Sequence, residues 1–551
     1  MKTMFYVSKP VTVVLLAISA VLNVLYLTGS FFMLEIYDRV LPSKSIPTLV
    51  GIAIIAGILF LGQGLLDLVR SRICVRLGDY VDAKLAQRIY GIVVRLPLLV
   101  KTNGDSNEPI RDLDQVRSFL ASGGPLAFFD LLFMPIYLAI CFLFHVWIGV
   151  ACLGGMALLI ALAWLTEVRT KKPVRQSFQL AAPRNALIVA GHRNAEALSA
   201  MGMDSAIGSR WEKLNQAWLL NNRHANDASK GIAAITRAIR AAIQSAMLGI
   251  GAVLVINGDA TAGVIIAASI LTARALAPIE MAIGSWKGYN QARQSWARIT
   301  RLLELVPEQK QSLSLPEPTS SLSVETVSGS VPGSEKLVVQ DVSFALQAGQ
   351  AIAIIGPSAS GKSSLARFLV GVWRPLRGKV RLDNAALDQL PAGAHVGYLP
   401  QDVGLFAGTI AENISRFSPD SDSVQIVQAA KAAGVHDMIL RLPNGYETDI
   451  GEGGCNLSAG QRQRIGLARA LYGEPFLVVL DEPNSNLDSE GEKTLTQAIL
   501  DVRSRGGIAV VVTHRPSTLA AVTHVLVLQN GRVAGLKTRQ PEEVTEVANV
   551  R

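Results

Sequence analysis

The sequence contains little cysteine, few aromatic residues and little charge. Its four cysteines, Cys74, Cys141, Cys152 and Cys455, are scattered among 551 residues without a paired spacing, which excludes a disulfide framework or a cysteine-rich metal site. Aromatic residues make up 6% and charged residues 17%, whereas half of all residues are hydrophobic, an unusual balance for a soluble protein. The length predicts at least two domains, and the composition predicts that one lies in a membrane.

The formal net charge of +9 could indicate a nucleic-acid partner. A positive balance is equally expected when Lys and Arg collect on the cytoplasmic side of a membrane. Because the apolar composition favours the second interpretation, we expect membrane lipids and no nucleic acid among the partners.

The first half of the chain contains apolar runs long enough to cross a bilayer as helices. We predict six spans in residues 11–34, 46–69, 126–164, 232–256 and 261–286, the third run being two spans that meet near His145 and Trp147. The turn Asn257-Gly258-Asp259 separates the last two runs. The first run is too long for a signal-peptide core and lacks a small-residue cleavage pattern, so we expect it to be retained.

Cations after the second span (Arg70, Arg72, Arg76) and after the fourth (Arg169, Lys171, Lys172, Arg175) predict that both termini are cytoplasmic. The connections 71–125 and 167–231 have helix-like apolar spacing. We expect the spans to continue through them and to end in transverse helices near residues 108–119 and 195–213, which would dock on a second domain; plain solvated helices are the alternative.

The composition changes at residues 307–335, which are rich in Ser, Pro, Glu and Gln and read as a linker and irregular domain start. Beyond them, short aliphatic runs at 351–355, 476–480 and 509–512 alternate with helical stretches, which predicts an α/β domain with buried, mostly parallel strands. The predicted organisation is therefore a six-helix membrane domain over 1–306, the linker, and an α/β P-loop NTPase domain over 336–551.

The strongest motif is a P-loop that follows an aliphatic strand and opens a helix. It consists of Gly356, Pro357, Ser358, Ala359, Ser360, Gly361, Lys362 and Ser363, followed by Ser364. Backbone N–H groups and the helix N-terminus form a cradle for ATP phosphates, Lys362 adds a positive charge, and the Ser363 hydroxyl can bind Mg²⁺. A Gly-rich structural turn is the alternative.

A second aliphatic run ends in Asp481-Glu482, at the carboxyl edge of a predicted buried strand, where ligands collect in such sheets. Together with the P-loop, this pair predicts that Asp481 helps to hold Mg²⁺ and that Glu482 polarises the attacking water as the catalytic base.

Between these motifs lies Leu457-Ser458-Ala459-Gly460-Gln461-Arg462-Gln463-Arg464, which resembles the signature of ABC transporters, with Ala459 where a first glycine is usual. The resemblance implies that Ser458, Gly460 and Gln461 contact the nucleotide of a second copy. It also implies that Gln401 senses magnesium, that His514 contacts the γ-phosphate and that Asp488 communicates across a dimer. Residues 448–454 are similar to the exporter-specific segment that precedes the signature.

The sequence departs from the family near Val331-Pro332-Gly333, where the family usually places an aromatic residue that stacks on adenine. Stacking on a base contributes on the order of 1–3 kcal/mol in nucleic-acid sites, so the resemblance implies weaker nucleotide affinity or base selectivity here.

Residues 31–43 and 111–117 resemble segments of the PrtD-type ATPases of bacterial type I secretion systems, and this resemblance runs over nearly the whole chain. We expect no room for the additional N-terminal peptidase-like domain that some relatives carry. The resemblance implies a homodimer in the inner membrane. It also implies export of an unfolded protein with a C-terminal signal, through a periplasmic adaptor and a TolC-type outer-membrane channel. A capped loop between spans is the alternative for Tyr37-Asp38-Arg39, and a heterodimer remains open.

Two other functions remain possible: a homodimeric exporter of lipids, peptides or small molecules, and a non-transporting ABC ATPase. The second predicts a degenerate site, whereas Lys362, Asp481, Glu482 and His514 are all present. Within the predicted spans, Asp130, Arg274 and Glu280 are costly unless they face a pathway or one another, so we expect them to point inward.

Overall fold

The structure is a computed structural model that describes residues 9–99, 108–306, 316–390, 393 and 395–538. The chain divides into two compact units, a helical unit that ends with residue 306 and an α/β unit that begins with residue 316. Each unit has its own hydrophobic cores, as expected for separate domains.

The helical unit is built from long helices joined by short breaks. Its α-helices are α1 (Lys9–Leu25), α2 (Thr28–Glu35), α3 (Leu41–Ser43), α4 (Ile46–Leu99), α5 (Glu108–Ala121), α6 (Gly124–Leu131), α7 (Met134–Phe144), α8 (Val146–Arg193), α9 (Ala195–Ala200), α10 (Asp204–Ile256) and α11 (Ala262–Leu305). A π-helix, Ile36–Val40, joins α2 to α3.

Among the described residues, five helical segments are long and apolar enough to cross a membrane, and the bent pair α6 and α7 makes a sixth when counted as one span. The predicted break at His145 is confirmed: its backbone is extended, and its Nδ1 accepts a hydrogen bond from the Trp147 N–H at the start of α8. The bend of 47° between α6 and α7 was not predicted, since Leu132 and Phe133 at the break are as apolar as their neighbours.

The predicted continuation of the spans beyond the apolar runs is confirmed, because α4, α8 and α10 each exceed forty-five residues. The helix predicted at 108–119 is present as α5, and its transverse orientation stays a prediction. The second prediction, 195–213, is wrong beyond residue 200: a turn with Gly202 at φ +63° ends α9, and Asp204 already begins α10. Docking of these helices on the other unit stays a prediction.

Helix α5 is anchored on α11 by a buried carboxylate. Asp112 accepts hydrogen bonds from Ser295 Oγ at 2.8 Å and from the Arg298 guanidinium, while Leu113 and Val116 are buried beside it. The segment 111–117 therefore has a packing role in the helical unit.

Each of the three charged residues predicted inside the spans has a partner in the helical unit. Asp130 is 4% exposed and accepts bonds from Arg70 Nη1 at 2.8 Å and from Asn23 Nδ2 at 3.0 Å. Asp130 therefore points into the interior of the helical unit, and Arg70, assigned above to a cytoplasmic cluster, is its buried partner. A position of Asp130 on a transport pathway stays a prediction. Glu280 pairs with Arg240, and the Arg274 guanidinium lies over the ring of Tyr26.

The α/β unit contains two sheets. The strands are β1 (Ser321–Ser330), β2 (Leu337–Gln347), β3 (Ala351–Ile355), β4 (Arg377–Leu382), β5 (Ala385–Ala386), β6 (Val396–Leu399), β7 (Leu477–Asp481), β8 (Ile508–Val512), β9 (His524–Gln529) and β10 (Arg532–Thr538). Its α-helices are α12 (Lys362–Leu369), α13 (Ile410–Ile414), α14 (Ser423–Ala432), α15 (His436–Leu440), α16 (Ala459–Leu471), α17 (Ser489–Ser504) and α18 (Pro516–Leu519).

The central sheet has the order β10-β9-β3-β8-β7-β6 and is parallel except for the β9–β10 hairpin. All residues of β7 and β8 are buried, as expected for strands covered on both faces. The predicted mostly parallel α/β fold is confirmed for this sheet.

A second, antiparallel sheet with the order β2-β1-β4-β5 was not predicted. Its first strand, β1, lies inside the stretch 307–335 that the composition indicated as linker and irregular domain start. Ser and Thr alternate there with the buried Leu322, Val324 and Val327, so the polar residues conceal a strand that is buried on one face only.

Candidate active site

The P-loop joins β3 to α12, and its backbone has conformations that bulky side chains would not allow. Gly356 has φ +151° and Gly361 has φ +99°; a Cβ at these positions would lie 2.1 Å from the Leu528 carbonyl oxygen and 2.5 Å from the Val338 carbonyl oxygen. Both glycines are therefore required by close approach of neighbouring strands. The loop ends directly at the N-terminus of α12, which favours anion binding.

Two side chains of the loop face the region where phosphates would lie. Lys362 Nζ donates to the carbonyl oxygens of Gly356 and Pro357 at 2.9 and 2.8 Å. Ser363 Oγ donates to Asp481 Oδ1 at 3.0 Å. Helix α12 begins at Lys362, and this places both polar groups in its first turn.

Asp481 ends the buried strand β7 and is 1% exposed. Its second carboxylate oxygen, Oδ2, has no hydrogen-bond partner among the described residues. Burial raises the pKa of Asp481 above its ordinary value; the hydrogen bond from Ser363 opposes this effect and the charge of Glu482 adds to it. Asp481 thus offers an unsatisfied buried oxygen beside the Ser363 hydroxyl.

Glu482 leaves the strand with φ +49°, an unusual backbone conformation for a residue with a side chain. Its N–H donates to the Val512 carbonyl of β8, and its Oε2 accepts from Gln401 Nε2 at 3.1 Å. Gln401 lies just after β6, the neighbouring strand. The carboxyl ends of two adjacent parallel strands therefore bring the predicted glutamine and the predicted base into contact.

A cavity of about 690 Å³ unites these groups. Of the predicted site residues, it is lined by Ser358, Ala359, Gly361, Lys362, Ser363, Ser364, Gln401 and Glu482. Gly356 and Pro357 are linked to this lining by their bonds with Lys362, and Asp481 by its bond with Ser363. Ser360 is buried and is not among the lining residues.

The other predicted residues lie outside this cavity. Ser458 caps α16: Gln461 N–H donates to its Oγ, and its own N–H donates to Gln461 Oε1. Gly460 approaches the loop after β7, since a Cβ would lie 2.9 Å from the Asn486 carbonyl oxygen. The predicted nucleotide contacts of α16 are thus on the same unit as the P-loop without sharing its cavity.

Asp488 and His514 also lie apart from the cavity lining. Asp488 Oδ1 accepts from the Gly491 N–H at 2.8 Å and from Arg464 Nη2 at 2.6 Å, which lowers the pKa of the carboxyl. This ion pair joins the N-terminus of α17 to the signature helix α16. His514 follows β8 and is exposed.

Six further residues that line the cavity were not predicted from the sequence: Lys336, Leu337, Val338, Gln340, Asn530 and Gly531. Asn530-Gly531 is the two-residue turn of the β9–β10 hairpin, with φ +50° and +78°. An Asn-Gly pair between two strand-like runs is a strong hairpin signal and could have located this turn.

A further residue missed by sequence is Arg416, whose guanidinium donates to carbonyl oxygens of Gly393, Arg469 and Tyr472. Burial lowers the pKa of Arg416 below its ordinary value. It holds the C-terminal end of α16, the helix that carries Ser458 at its other end, and no sequence pattern indicated it.

Comparison with known families assigns both units. Residues 339–485 match the family described as ABC transporter, and residues 12–277 match the family described as ABC transporter transmembrane region. The chain belongs to the ABC transporter family.

Relatives of this ABC transporter match along nearly all of its length. It is 54% identical over 518 residues to the "Type I secretion system ATP-binding protein PrsD" of Rhizobium meliloti (strain 1021), a match that covers 94% of this chain and 89% of that protein. It is 28% identical over 529 residues to the "Leukotoxin translocation ATP-binding protein LktB" of Mannheimia haemolytica, covering 94% of this chain and 74% of that one.

Among solved structures, the "Structure of a bacterial Atm1-family ABC exporter with ATP bound" has a TM-score of 0.81 with 22% identity, and covers 97% of this chain and 96% of that one. This likeness confirms the predicted exporter fold. The ABC transporter is thus a multi-pass membrane protein with an ATPase unit coupled to export.

Proposed function

We propose that this ABC transporter is the ATP-hydrolysing inner-membrane component of a type I secretion system, and that both its termini are cytoplasmic. It exports an unfolded protein with a C-terminal signal through a periplasmic adaptor and a TolC-type outer-membrane channel. The observation that carries the proposal is the 54% identity to a type I secretion ATP-binding protein, which extends over helical and α/β units alike. A domain boundary near residue 306, with β1 already part of the ATP-binding domain, belongs to the same proposal.

The functional unit we propose is a homodimer with two shared ATP sites. In one copy the P-loop, Gln401 and Glu482 line a common cavity from which Ser458, Gly460, Gln461 and Asp488 are absent. The exposed N-terminus of α16 supplies backbone N–H groups suited to an anion. A second copy would bring this helix end to the γ-phosphate and close the site.

Within each site, the backbone N–H groups of the loop 356–364, except at Pro357, bind the phosphates. Lys362 exchanges its two carbonyl partners for phosphate oxygens, which compensates the charge that develops there. Glu482 accepts a proton from the attacking water, and Gln401, through its bond to Oε2, keeps that carboxylate in place. His514 contacts the γ-phosphate from the end of β8.

Mg²⁺ fits the residues of this site. Ser363 Oγ and the buried, unsatisfied Asp481 Oδ2 are hard oxygen donors beside the phosphate loop, and Gln401 would add a third ligand. No cluster of three acidic, His or Cys side chains that could hold a metal occurs among the described residues, as expected where phosphates complete the coordination. Bound Mg²⁺ would neutralise charge on the β- and γ-phosphates.

Expression with candidate adaptor and channel proteins tests the function, and the readout is the protein released into the medium. Release should require the adaptor and should cease with Glu482→Gln, which keeps ATP binding. Transport that continues without any adaptor would favour the alternative, a homodimeric exporter of lipids, peptides or small molecules. Normal release by Glu482→Gln would refute the role of Glu482.

A further inference from the structure

Two lysines of the helical unit lie together where α10 and α11 meet. Lys287 of α11 donates from Nζ to Asn226 Oδ1 at 2.6 Å and reaches Asn222 Oδ1 at 3.5 Å, both on α10. Asn222, Asn226 and Lys230 follow one another every fourth residue of α10, so they share one face of this helix. Lys230 therefore lies one turn beyond Asn226, on the face of α10 that contacts Lys287.

The positive charge of these two lysines is not compensated. In the part of the chain that the structure describes, the charge that acts on Lys287 comes from Lys230, a second cation, and not from a carboxylate. The Glu167 carboxylate accepts from Trp286 Nε1 at 2.6 Å and from Asn290 Nδ2 at 2.8 Å, and it forms no ion pair with either lysine. Two like charges that are held together favour a bound anion.

The hydrogen-bonding groups that this cluster leaves available are mainly donors. Each asparagine uses its Oδ1 for Lys287, and no hydrogen bond from either Nδ2 group occurs within the described residues. Ammonium groups carry donors and no acceptor. Lys230 is exposed and Lys287 is half-buried, so a ligand can reach both. This chemistry suits an oxyanion.

The depth of the two lysines indicates which oxyanion is at hand. At a rise of 1.5 Å per residue, Lys230 lies about 39 Å along α10 from its last residue, Ile256. Lys287 lies about 38 Å along α11 from its first residue, Ala262. A bilayer measures about 30 Å across its hydrocarbon core and about 40–45 Å with its headgroups. With the α10–α11 turn at one membrane surface, both ammonium groups reach the headgroup layer of the other leaflet.

We propose that Asn222, Asn226, Lys230 and Lys287 form a binding site for the phosphate group of an anionic membrane phospholipid. The two ammonium groups neutralise the phosphate, and the two amides donate to its oxygens. The acyl chains extend toward the apolar residues 232–256 of the same helix. The matching depth of the two lysines favours the lipid over an acidic segment of an exported protein, because the membrane always supplies phosphate at this level.

Lipid binding to the full-length protein in detergent, measured by native mass spectrometry, tests this site. The anionic probe is dioleoylphosphatidylglycerol and the zwitterionic probe is dioleoylphosphatidylcholine. We expect the anionic lipid to bind at least about fivefold more tightly, and Lys230→Met and Lys287→Met each to weaken its binding by about fivefold, the usual effect of one lysine near an anionic lipid. Lys230→Met leaves the bonds of Lys287 intact, so it decides the question if Lys287→Met does not fold.

Lys213→Met is the matched control. It removes an exposed lysine from the same helix about 65 Å from Ile256, beyond the headgroup layer, and should leave lipid binding unchanged.

Equal affinity for the two lipids would overturn the proposal, as would a loss in Lys230→Met no larger than that in the control. Inorganic phosphate that competes as tightly as the anionic lipid binds would assign a free-phosphate site instead. Reduced protein release by Lys230→Met with unchanged lipid affinity would assign the cluster to the exported polypeptide and would also contradict the proposal.

Discussion

The Nε2 amide of Gln401 donates a hydrogen bond to Oε2 of Glu482 at 3.1 Å. Gln401 follows β6 and Glu482 follows β7, so the contact depends on the parallel register in which Leu399 pairs with Leu480. A change at Gln401 should therefore act on the orientation of the catalytic carboxylate and leave the phosphate cradle intact.

Glu482→Gln is expected to lower kcat of ATP hydrolysis by about 10²- to 10⁴-fold, because a general base is lost. Gln401→Ala is expected to lower it by about 10- to 100-fold through misorientation. ATP binding, measured by titration with a fluorescent analogue, should change little in both. Gln497→Ala, which removes a similar amide-to-carboxylate bond on α17, is the control. Equal ATPase activity of Gln401→Ala and the control would contradict the proposed role of Gln401 in orienting Glu482.

The buried pair Arg70–Asp130 should stabilise the helical unit as a pair. Both side chains are at most 5% exposed, and removing one partner of a buried pair costs about 3–5 kcal/mol. Asp130→Ala and Arg70→Met should each lower the unfolding midpoint in detergent, and the double variant should lower it by less than the sum.

Asp114→Ala breaks the exposed ion pair with Arg117 and is the control for this comparison of single and double variants. It should cost about 0–1 kcal/mol of stability. Additive effects of Asp130→Ala and Arg70→Met on the unfolding midpoint would show that the two charges do not compensate each other.

Alanine at Asp130, Arg274 or Glu280 should reduce secretion more than ATP binding.

Asp38 should hold the start of α11. Its carboxylate accepts from Thr261 Oγ1 at 2.6 Å and from the Gly263 N–H at 2.8 Å, so the motif residue acts as a helix cap supplied from the π-helix Ile36–Val40. Asp38→Ala should destabilise the protein by about 1–2 kcal/mol, the usual value of a cap. Hydrogen exchange of the amides after Thr261 would show the loss directly.

A substitution at Gly263 tests the same contact, because a Cβ at this position would lie 2.6 Å from the Asp38 carboxyl carbon. Gly263→Ala should be destabilising alone and nearly neutral when combined with Asp38→Ala. Asp259→Asn, in the adjacent turn, is the control. Equal cost of Gly263→Ala in both backgrounds would refute the contact.

Asp383 should make the α/β unit sensitive to acid. It accepts from the backbone N–H groups of Thr319, Ser320 and Ser321. Slight burial raises the pKa of Asp383. The hydrogen bond from the Ser320 hydroxyl and the three backbone hydrogen bonds lower it by more, so the pKa lies below the ordinary value. Because the pKa is lower in the folded state, the ionised Asp383 carboxylate stabilises the fold above about pH 4. This stabilisation is lost as the pH falls through the pKa of the folded state.

Asp383→Asn should therefore be less stable than the parent at pH 7, and the difference should shrink progressively below about pH 4. Thermal unfolding between pH 3 and pH 7 measures it. A difference that is independent of pH would contradict the assignment.

The sequence predicted the central sheet and the P-loop and Asp481-Glu482 motifs of the site because both leave local signals. Strands β7 and β8 are continuous aliphatic runs, and the P-loop and Asp481-Glu482 are fixed patterns next to such runs. The six spans were predictable for the same reason, since bilayer crossing requires long apolar stretches.

The remaining features depend on contacts between residues far apart in the chain. Asp130 meets Arg70, and Asp38 meets Gly263, across separations that composition and periodicity do not encode. Strand β1 was missed because its Ser and Thr residues resemble a linker, and Arg416 was missed because its carbonyl partners have no sequence signature.

The most direct test of the account is complementation between two inactive subunits. Lys362→Met removes the P-loop charge, and Ser458→Arg blocks the signature helix. Each variant alone should be inactive, whereas co-expressed subunits should recover about a quarter of the parental ATPase activity, because half of the dimers contain one intact site formed by both chains. Activity no higher than that of either variant alone would contradict a nucleotide site shared between two copies.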